Sequence, residues 1–579
     1  MMNKLITIKN FVALLIMGII FLVNSKAIAQ TESDEPGSTS NKVPLLEVAE
    51  GEYIYEPRDN FETSPAYSYS SPWFTTVQVN VNELGQNIVG DAANEPSIAF
   101  DPTDPNKMAI GWRQFDNINN SFRQAGFGYT TDAGQTWTFP GVIDPGVFRS
   151  DPVLDCDTEG NFYYNSLTVQ GEDYLCDVYI SADGGNSWDD GTFAYGGDKQ
   201  WMSIDKSGGL GSGNIYAFWT SYYSICDPDF FTRSVDAGFS YEDCSSIPGY
   251  PYWGTTTVSA EGELYVCGAQ WGGNFMVAKS SNAQNPGQTV TWDFSTTVDL
   301  DGEVVGFGGY NCPNPTGLLG QTIIAIDSSG GPSHGNVYIL CSVERYSTPD
   351  PLDVMFAKST DGGLTWSSPI RVNDDPGNNA WQWFGTMSVA PDGRIDVVWL
   401  DTRDYPGTVL TSLYYAYSLD AGDTWSENIP LSDFFDPHLG WPQQDKMGDY
   451  FDMYSNETGA HLAWANTFNG EQDVYYGHIT PQFTGTDELK NKTSISLSQN
   501  FPNPFKDQTS IRYYLAEQSF VSLSVFDITG REVAILINEI QNAGNYQATF
   551  SATRLESGVY YYQLQAGDDI VTRKLMILK

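Results

Sequence analysis

Thr130-Thr-Asp132-Ala-Gly134-Gln-Thr136-Trp137 is the stretch that decides the fold, because four later stretches repeat it. They are Ser181-x-Asp183-x-Gly185-x-Ser187-Trp188, Ser234-x-Asp236-x-Gly238-x-Ser240-Tyr241, Ser359-x-Asp361-x-Gly363-x-Thr365-Trp366 and Ser418-x-Asp420-x-Gly422-x-Thr424-Trp425. Each position has a task in a tight β-hairpin. The carboxylate accepts backbone N–H groups of the turn, the glycine takes a positive φ, and the aromatic ring packs on a neighbouring sheet. One copy would signal a turn; five in register signal a repeat architecture.

The spacing sets the repeat length. Successive aspartates lie 51 (Asp132 to Asp183), 53 (Asp183 to Asp236) and 59 (Asp361 to Asp420) residues apart. The interval from Asp236 to Asp361 is 125, room for two repeats, and a decayed copy sits inside it at Ser280-Ser-Asn282 and Thr291-Trp292. A period near 50 with several short strands per repeat predicts an all-β chain folded as a β-propeller. Inner strands are expected from Pro96, Pro152, Trp201, Thr255, Thr322, Gly385 and Tyr450. The last set, Tyr450–Tyr454, Ala460–Trp464 and Asp473–Ile479, lacks the turn motif. Its missing outer strand is expected from Thr75–Val81, which would join the two ends of the ring and remove free edges. This count favours seven blades, with six as the alternative.

The repeats, over about residues 95–480, resemble the Asp box (bacterial neuraminidase repeat) of sialidase-like propellers. Catalytic sialidases of that superfamily have six blades, an Arg-Ile-Pro motif, an arginine triad for the sialate carboxylate, an Asp acid/base and a Tyr–Glu pair. No Arg-Ile-Pro occurs here, and the only arginine ahead of the first repeat is Arg58. The resemblance therefore implies the fold more than the reaction.

The ends of the chain read separately. Residues 1–29 resemble a secretory signal peptide: Lys4 and Lys9, an apolar run from Phe11 to Val23, and Ala27-Ile28-Ala29 as a cleavage site. Residues 30–74 read as a linker, 75–483 as the propeller and 484–493 as a second linker. Residues 494–579 alternate with period two and are expected to form a small C-terminal β-sandwich. The entry Asn500-Phe-Pro-Asn-Pro-Phe505, the turn Asp527-Ile-Thr-Gly-Arg531, the strand Ser557-Gly-Val-Tyr-Tyr561 and the ending Lys574-Leu-x-Ile-x-Lys579 resemble the type A sorting domain of the Bacteroidota type IX secretion system. That resemblance implies the type IX secretion machinery as a partner. It also implies a secreted or outer-surface location once signal peptide and sorting domain are removed. No later segment is long and apolar enough for a membrane helix, so the mature chain is expected to have no transmembrane segment.

Seventy-two acidic residues against 28 basic ones give a net charge of −44, which excludes nucleic acid and anionic membranes as expected partners. Seven cysteines and no Cys-x-x-Cys argue against a zinc site. Cys156 with Cys176, and Cys226 with Cys244, could close short loops after export. Asp155-x-Asp157-x-Glu159-Gly160 has the beginnings of a calcium loop, but it falls at a hairpin and lacks a downstream bidentate Glu. No cofactor is expected, calcium being the weak alternative.

Propeller geometry picks out candidate site residues without a motif, since inner strands begin on the face where ligands bind. Glu95, Asp151, Asp198 and Asp449 are the candidate acids. Arg113, Arg345, Arg403, Trp201, Trp253, Trp383 and Tyr450 are candidate substrate-binding groups. Carboxylates, arginines and aromatic rings together suit a carbohydrate or glycoconjugate. Two readings follow: a binding propeller without turnover, or an exo-acting glycoside hydrolase or polysaccharide lyase using those acids.

Overall fold

The computed structural model describes residues 51–481, apart from 172, 222, 223, 310 and 378. In the C-terminal unit it describes 495–497, 500, 503, 505–515, 518–542, 544–553, 555–567 and 569–579. The expected signal peptide, residues 30–50 of the first linker and all of the second lie outside these residues. The chain divides into two compact units, Met1–Thr480 and Pro481–Lys579.

The larger unit is all-β. Among the described residues, seven antiparallel sheets follow one another along the chain. Their innermost strands are Ala92–Phe100, Ser150–Cys156, Trp201–Ile204, Thr256–Val258, Ile323–Ile326, Gln382–Val389 and Asp452–Asn456, defining sheets 1 to 7 in that order. Each innermost strand packs against the next, and Asp452–Asn456 packs against Ala92–Phe100, so the ring closes. The outer strand of sheet 7 comes from the other end of the unit. Phe74–Gln78 pairs with Asp473–Ile479 in the register Phe74↔Ile479 to Gln78↔Tyr475. This is a propeller whose closure leaves no inner strand as a free edge.

The five turn motifs repeat one set of bonds. In the first, the Thr130 hydroxyl donates to Asp132 Oδ1 at 2.8 Å and accepts the Gly134 N–H at 3.1 Å. Asp132 in turn accepts the Thr136 N–H at 2.9 Å and hydroxyl at 2.7 Å. The motif aromatics pack on the preceding sheet: Trp137 on Tyr476, Trp188 on Phe127 and Trp425 on Phe356, at 5.4, 5.9 and 5.2 Å between centroids. In the decayed copy Asn282 stands in for the aspartate, accepting the Ser280 hydroxyl and the Thr291 N–H. The motif thus stitches neighbouring blades as well as closing its own hairpin.

The Thr365 hydroxyl and N–H, then the Ser359 hydroxyl, hold Asp361 down at about 2. A folded-state value below the unfolded one stabilises above the ordinary carboxylate range and is lost as pH falls through about 2. Asp361→Ala is therefore expected to lower the denaturation midpoint at pH 6 and to lose that effect near pH 2. Equal effects at both values would show that the carboxylate's charge is immaterial.

Two expectations need correction. Residues 51–73 are not a free linker: Thr63–Pro65 pairs with Gln86–Ile88, Ser68–Ser70 pairs with Phe74–Gln78, and Arg58 lies 3.7 Å over the Phe139 ring. Cys156 and Cys176 do not pair, because they lie toward opposite edges of sheet 2 (Cys156 opposite Phe162, Cys176 opposite Leu167); both are buried thiols, whereas Cys226 and Cys244 are bonded. Asp157 stands in a hairpin turn, as its sequence reads, its Oδ1 accepting the Glu159 and Asn161 N–H groups.

The smaller unit is a two-sheet sandwich around Ile511, Leu523, Val525, Tyr562, Leu564 and Ile577. Its strand Glu532–Gln541 escaped the sequence reading because it is largely exposed and alternates weakly. The Asp527-to-Arg531 turn is closed by Asp527, whose Oδ1 accepts from the Thr529 hydroxyl and N–H.

Candidate functional site: the mouth face of the propeller

Antiparallel pairing fixes the two faces. In sheet 2, Cys156 and Ser181 both lie opposite Phe162, so the first hairpin and the turn motif share one edge. Ser150, Leu167 and Cys176 mark the other edge, where inner strands begin. Backbone conformation repeats at those beginnings. Glu95, Asp151, Lys199, Trp253 and Phe384 all have φ between 47° and 57°, and Gly448 has 93°. Positive φ is unfavourable for residues with a Cβ, so surrounding contacts must hold it.

For sheets 1, 2, 3 and 7 those contacts are ionic. Lys199 Nζ lies 3.4 Å from Asp151, 3.2 Å from Asp198 and 3.0 Å from Asp449. Lys446 Nζ lies 2.9 Å from Asp449 and 3.7 Å from Glu95, and Arg113 Nε lies 3.1 Å from Glu95. All seven side chains are at most 5% exposed. Burial, above all, pushes the Glu95 carboxyl well above its ordinary range; Arg113 and Lys446 oppose this, and Asp449 and Asp151 add to it.

The hub is sealed by further cross-ties. The Tyr450 hydroxyl donates to the Pro152 carbonyl at 2.8 Å, and its ring meets Trp201 edge-on at 5.5 Å. Asn314 donates to the Gly448 carbonyl, and the Leu318 N–H donates to Asp449 Oδ1 at 2.8 Å. Thus the four candidate acids are linked through shared cations, and all four are buried inside the ring. Trp383 is likewise core, donating to Thr411 and packing on Phe384. Arg345 is held by Asp301 and Asp353, and Arg403 by Asp374 and Asp401. Each of the three candidate arginines is thus engaged by carboxylates, Arg113 by Glu95.

On the other half of the same face an aromatic cleft lies open. It has a volume of about 260 Å³ and runs between the Gln270-to-Asn274 turn and residues 303–307. Tyr252 and Trp253 meet edge-on at 5.0 Å on one side, and Trp271 lies 6.0 Å from Tyr252. Trp271 is 48% exposed and Phe307 60%. Glu303 lines the cleft and lies directly cross-strand from Glu344, both exposed. Tyr346 donates its hydroxyl to the Gly273 carbonyl, and a Cβ on Gly273 (φ +77°) would sit 1.6 Å from that oxygen. Only glycine lets the turn approach Tyr346 in this way. Burial, then Glu303, pushes the Tyr252 phenol up to about 12, so it remains a neutral donor.

Of the predicted residues only Trp253 belongs to this cleft. Trp271, Phe307 and Glu303 were missed because they fall in the long interval with the decayed motif. The readable signal was Trp271-Gly-Gly-Asn274, an indole at a hairpin tip where polar residues normally stand. Lys446 carried no sequence signal; a long loop delivers it.

Residues 499–578 match the model of the secretion system C-terminal sorting domain. The chain is therefore directed to the cell surface or the exterior by the type IX route. A probable oligoxyloglucan-reducing end-specific xyloglucanase of Neosartorya fischeri is 22% identical over 375 residues, 61% of this chain. The chain covers 36% of that relative's length. Similar solved structures include a protein of unknown function from Dyadobacter fermentans, at 14% identity, TM-score 0.41 and coverage of 71% of this chain and 100% of that one. The α-L-arabinofuranosidase Arb93A from Fusarium graminearum gives 11%, 0.37, 71% and 98%, and the sialidase of Trypanosoma rangeli gives 10%, 0.38, 87% and 90%. No helix among the described residues is long and apolar enough to cross a membrane.

Proposed function

We propose that this is a secreted propeller that recognises carbohydrate on its mouth face, without turnover by the acids of the central hub. One observation carries the reading: Trp271 and Phe307 stand open to solvent along a cleft floored by Tyr252 and Trp253. Aromatic rings facing water are what stack on the C–H faces of sugars, while their amphipathic neighbours bond hydroxyls. Similarity to a probable xyloglucanase, a protein named for action on a polysaccharide, points the same way.

Hydrolysis by Glu95, Asp151, Asp198 or Asp449 would need two of them to flank a glycosidic bond. Each is instead held against Lys199, Lys446 or Arg113, which supports a structural role. The purified protein is expected to bind members of a glycan array and to release no sugar from them. Failure to retain any glycan would remove the reading, and release of sugar that Glu95→Gln abolishes would restore the hydrolase.

A further inference from the structure

The geometry points to an uncharged polysaccharide segment as the ligand of the Trp271–Phe307 cleft, with Trp271 and Phe307 as stacking walls and Glu303 as a hydroxyl acceptor; this inference rests on the carbohydrate-recognition reading above. Three observations carry it. First, the two most exposed rings of the cleft belong to separate segments, the hairpin tip at 271 and the loop ending at 307, so a sugar chain entering the cleft meets rings from both. A volume of about 260 Å³ suits one or two sugar residues, close to the lower bound of ordinary ligand pockets of roughly 300 Å³.

Second, the charge is of one sign. Among the described residues that line the cleft there is no Lys, Arg or His, and the acid there is Glu303. Glu344, directly cross-strand, places a second carboxylate on the same edge. Like charges opposite each other cost stability, so each adds to a local negative potential that a uronate, sulfate or sialate would have to overcome. The nearest cation along this edge, Arg345, is already engaged by Asp301, Asp353 and Ser347. Recognition of an anionic sugar would call for a guanidinium or ammonium free to pair with it. A neutral sugar instead offers hydroxyl donors, which an ionised carboxylate accepts strongly.

Third, the turn is built to hold Trp271 in place. Gly272 and Gly273 both have positive φ, and the Tyr346 hydroxyl bonds the Gly273 carbonyl at 3.3 Å. The Gln270 amide donates to the Gly249 carbonyl at 2.7 Å from the other side. The indole is thus presented by a pinned hairpin tip, and presenting a ring pre-positioned lowers the ordering cost of binding.

The test is titration calorimetry of the full chain with xyloglucan and arabinan oligosaccharides on one side, and oligogalacturonate and sialyl-lactose on the other. The expected result is binding of at least one neutral sugar, weakened tenfold or more by Trp271→Ala and by Phe307→Ala, with no binding of the anionic pair. Both rings are exposed, so unchanged thermal unfolding verifies that the variants remain folded. Glu303→Lys should then admit oligogalacturonate. Tighter binding of an anionic sugar by the parent protein would overturn the inference and leave carbohydrate recognition standing. So would neutral binding that neither ring variant weakens. Binding of neither class would overturn both.

Discussion

Replacing Lys199 by methionine is expected to destabilise the propeller by about 3–5 kcal/mol, the usual penalty for orphaning a buried ion-pair partner. Methionine keeps most of the side-chain volume, so the loss isolates charge from packing. The ammonium sits 3.0–3.4 Å from Asp449, Asp198 and Asp151, at 1% exposure. Without it, Asp151, Asp198 and Asp449 would lose the buried cation they share. The cost is that of leaving buried carboxylates without the cation they share, an electrostatic loss rather than a loss of packing. Adding Asp151→Asn and Asp449→Asn to the methionine variant should recover part of the loss. Denaturant midpoints at pH 7 read all of this. A methionine variant within about 0.5 kcal/mol of the parent at pH 7, the range of ordinary surface changes, would show that the hub does not hold the ring together.

The hub also shows where sequence reasoning worked and where it stopped. Repeat spacing located the starts of the inner strands, and so named Glu95, Asp151, Asp198 and Asp449 as neighbours that are more than 350 residues apart at the extremes. Spacing says nothing about depth. Whether an acid at a strand start faces solvent depends on what the long loops bring over it, and Lys446, Asn314 and Leu318 come from segments without periodicity. The same limit explains Trp383. Its position at a strand start was legible, but its side chain turns to Thr411 and the core. The closing strand was legible because it is a matter of edge hydrogen bonding, which demands a partner wherever the chain can supply one.

The cleft illustrates the converse failure. Its residues belong to the least regular part of the repeat, where a decayed turn motif and an insertion obscure the phase. Function tends to concentrate in such loops on a regular scaffold. The five intact motifs lie on the opposite edge and stitch blades together, so the strongest sequence signal marked the face that carries no candidate site.

Removing residues from 491 onward is expected to abolish appearance of the protein outside the cell while leaving a folded propeller in the cell envelope. The sorting-domain match covers residues 499–578, all within the C-terminal unit Pro481–Lys579. That unit has its own core, built from Ile511, Leu523, Val525, Tyr562, Leu564 and Ile577. The propeller's closure uses Phe74–Gln78 and Asp473–Ile479, both retained by the truncation. The strands that close the ring are therefore kept, and the Cys226–Cys244 bond should still form once the chain reaches an oxidising compartment. Fractionation of cells expressing the full and shortened chains, with protease resistance as the measure of folding, separates the outcomes. A shortened chain that is folded and retained supports a sorting role for the tail. A shortened chain recovered outside in normal amount would show that export does not depend on it, and a degraded one would show that the two units fold as one.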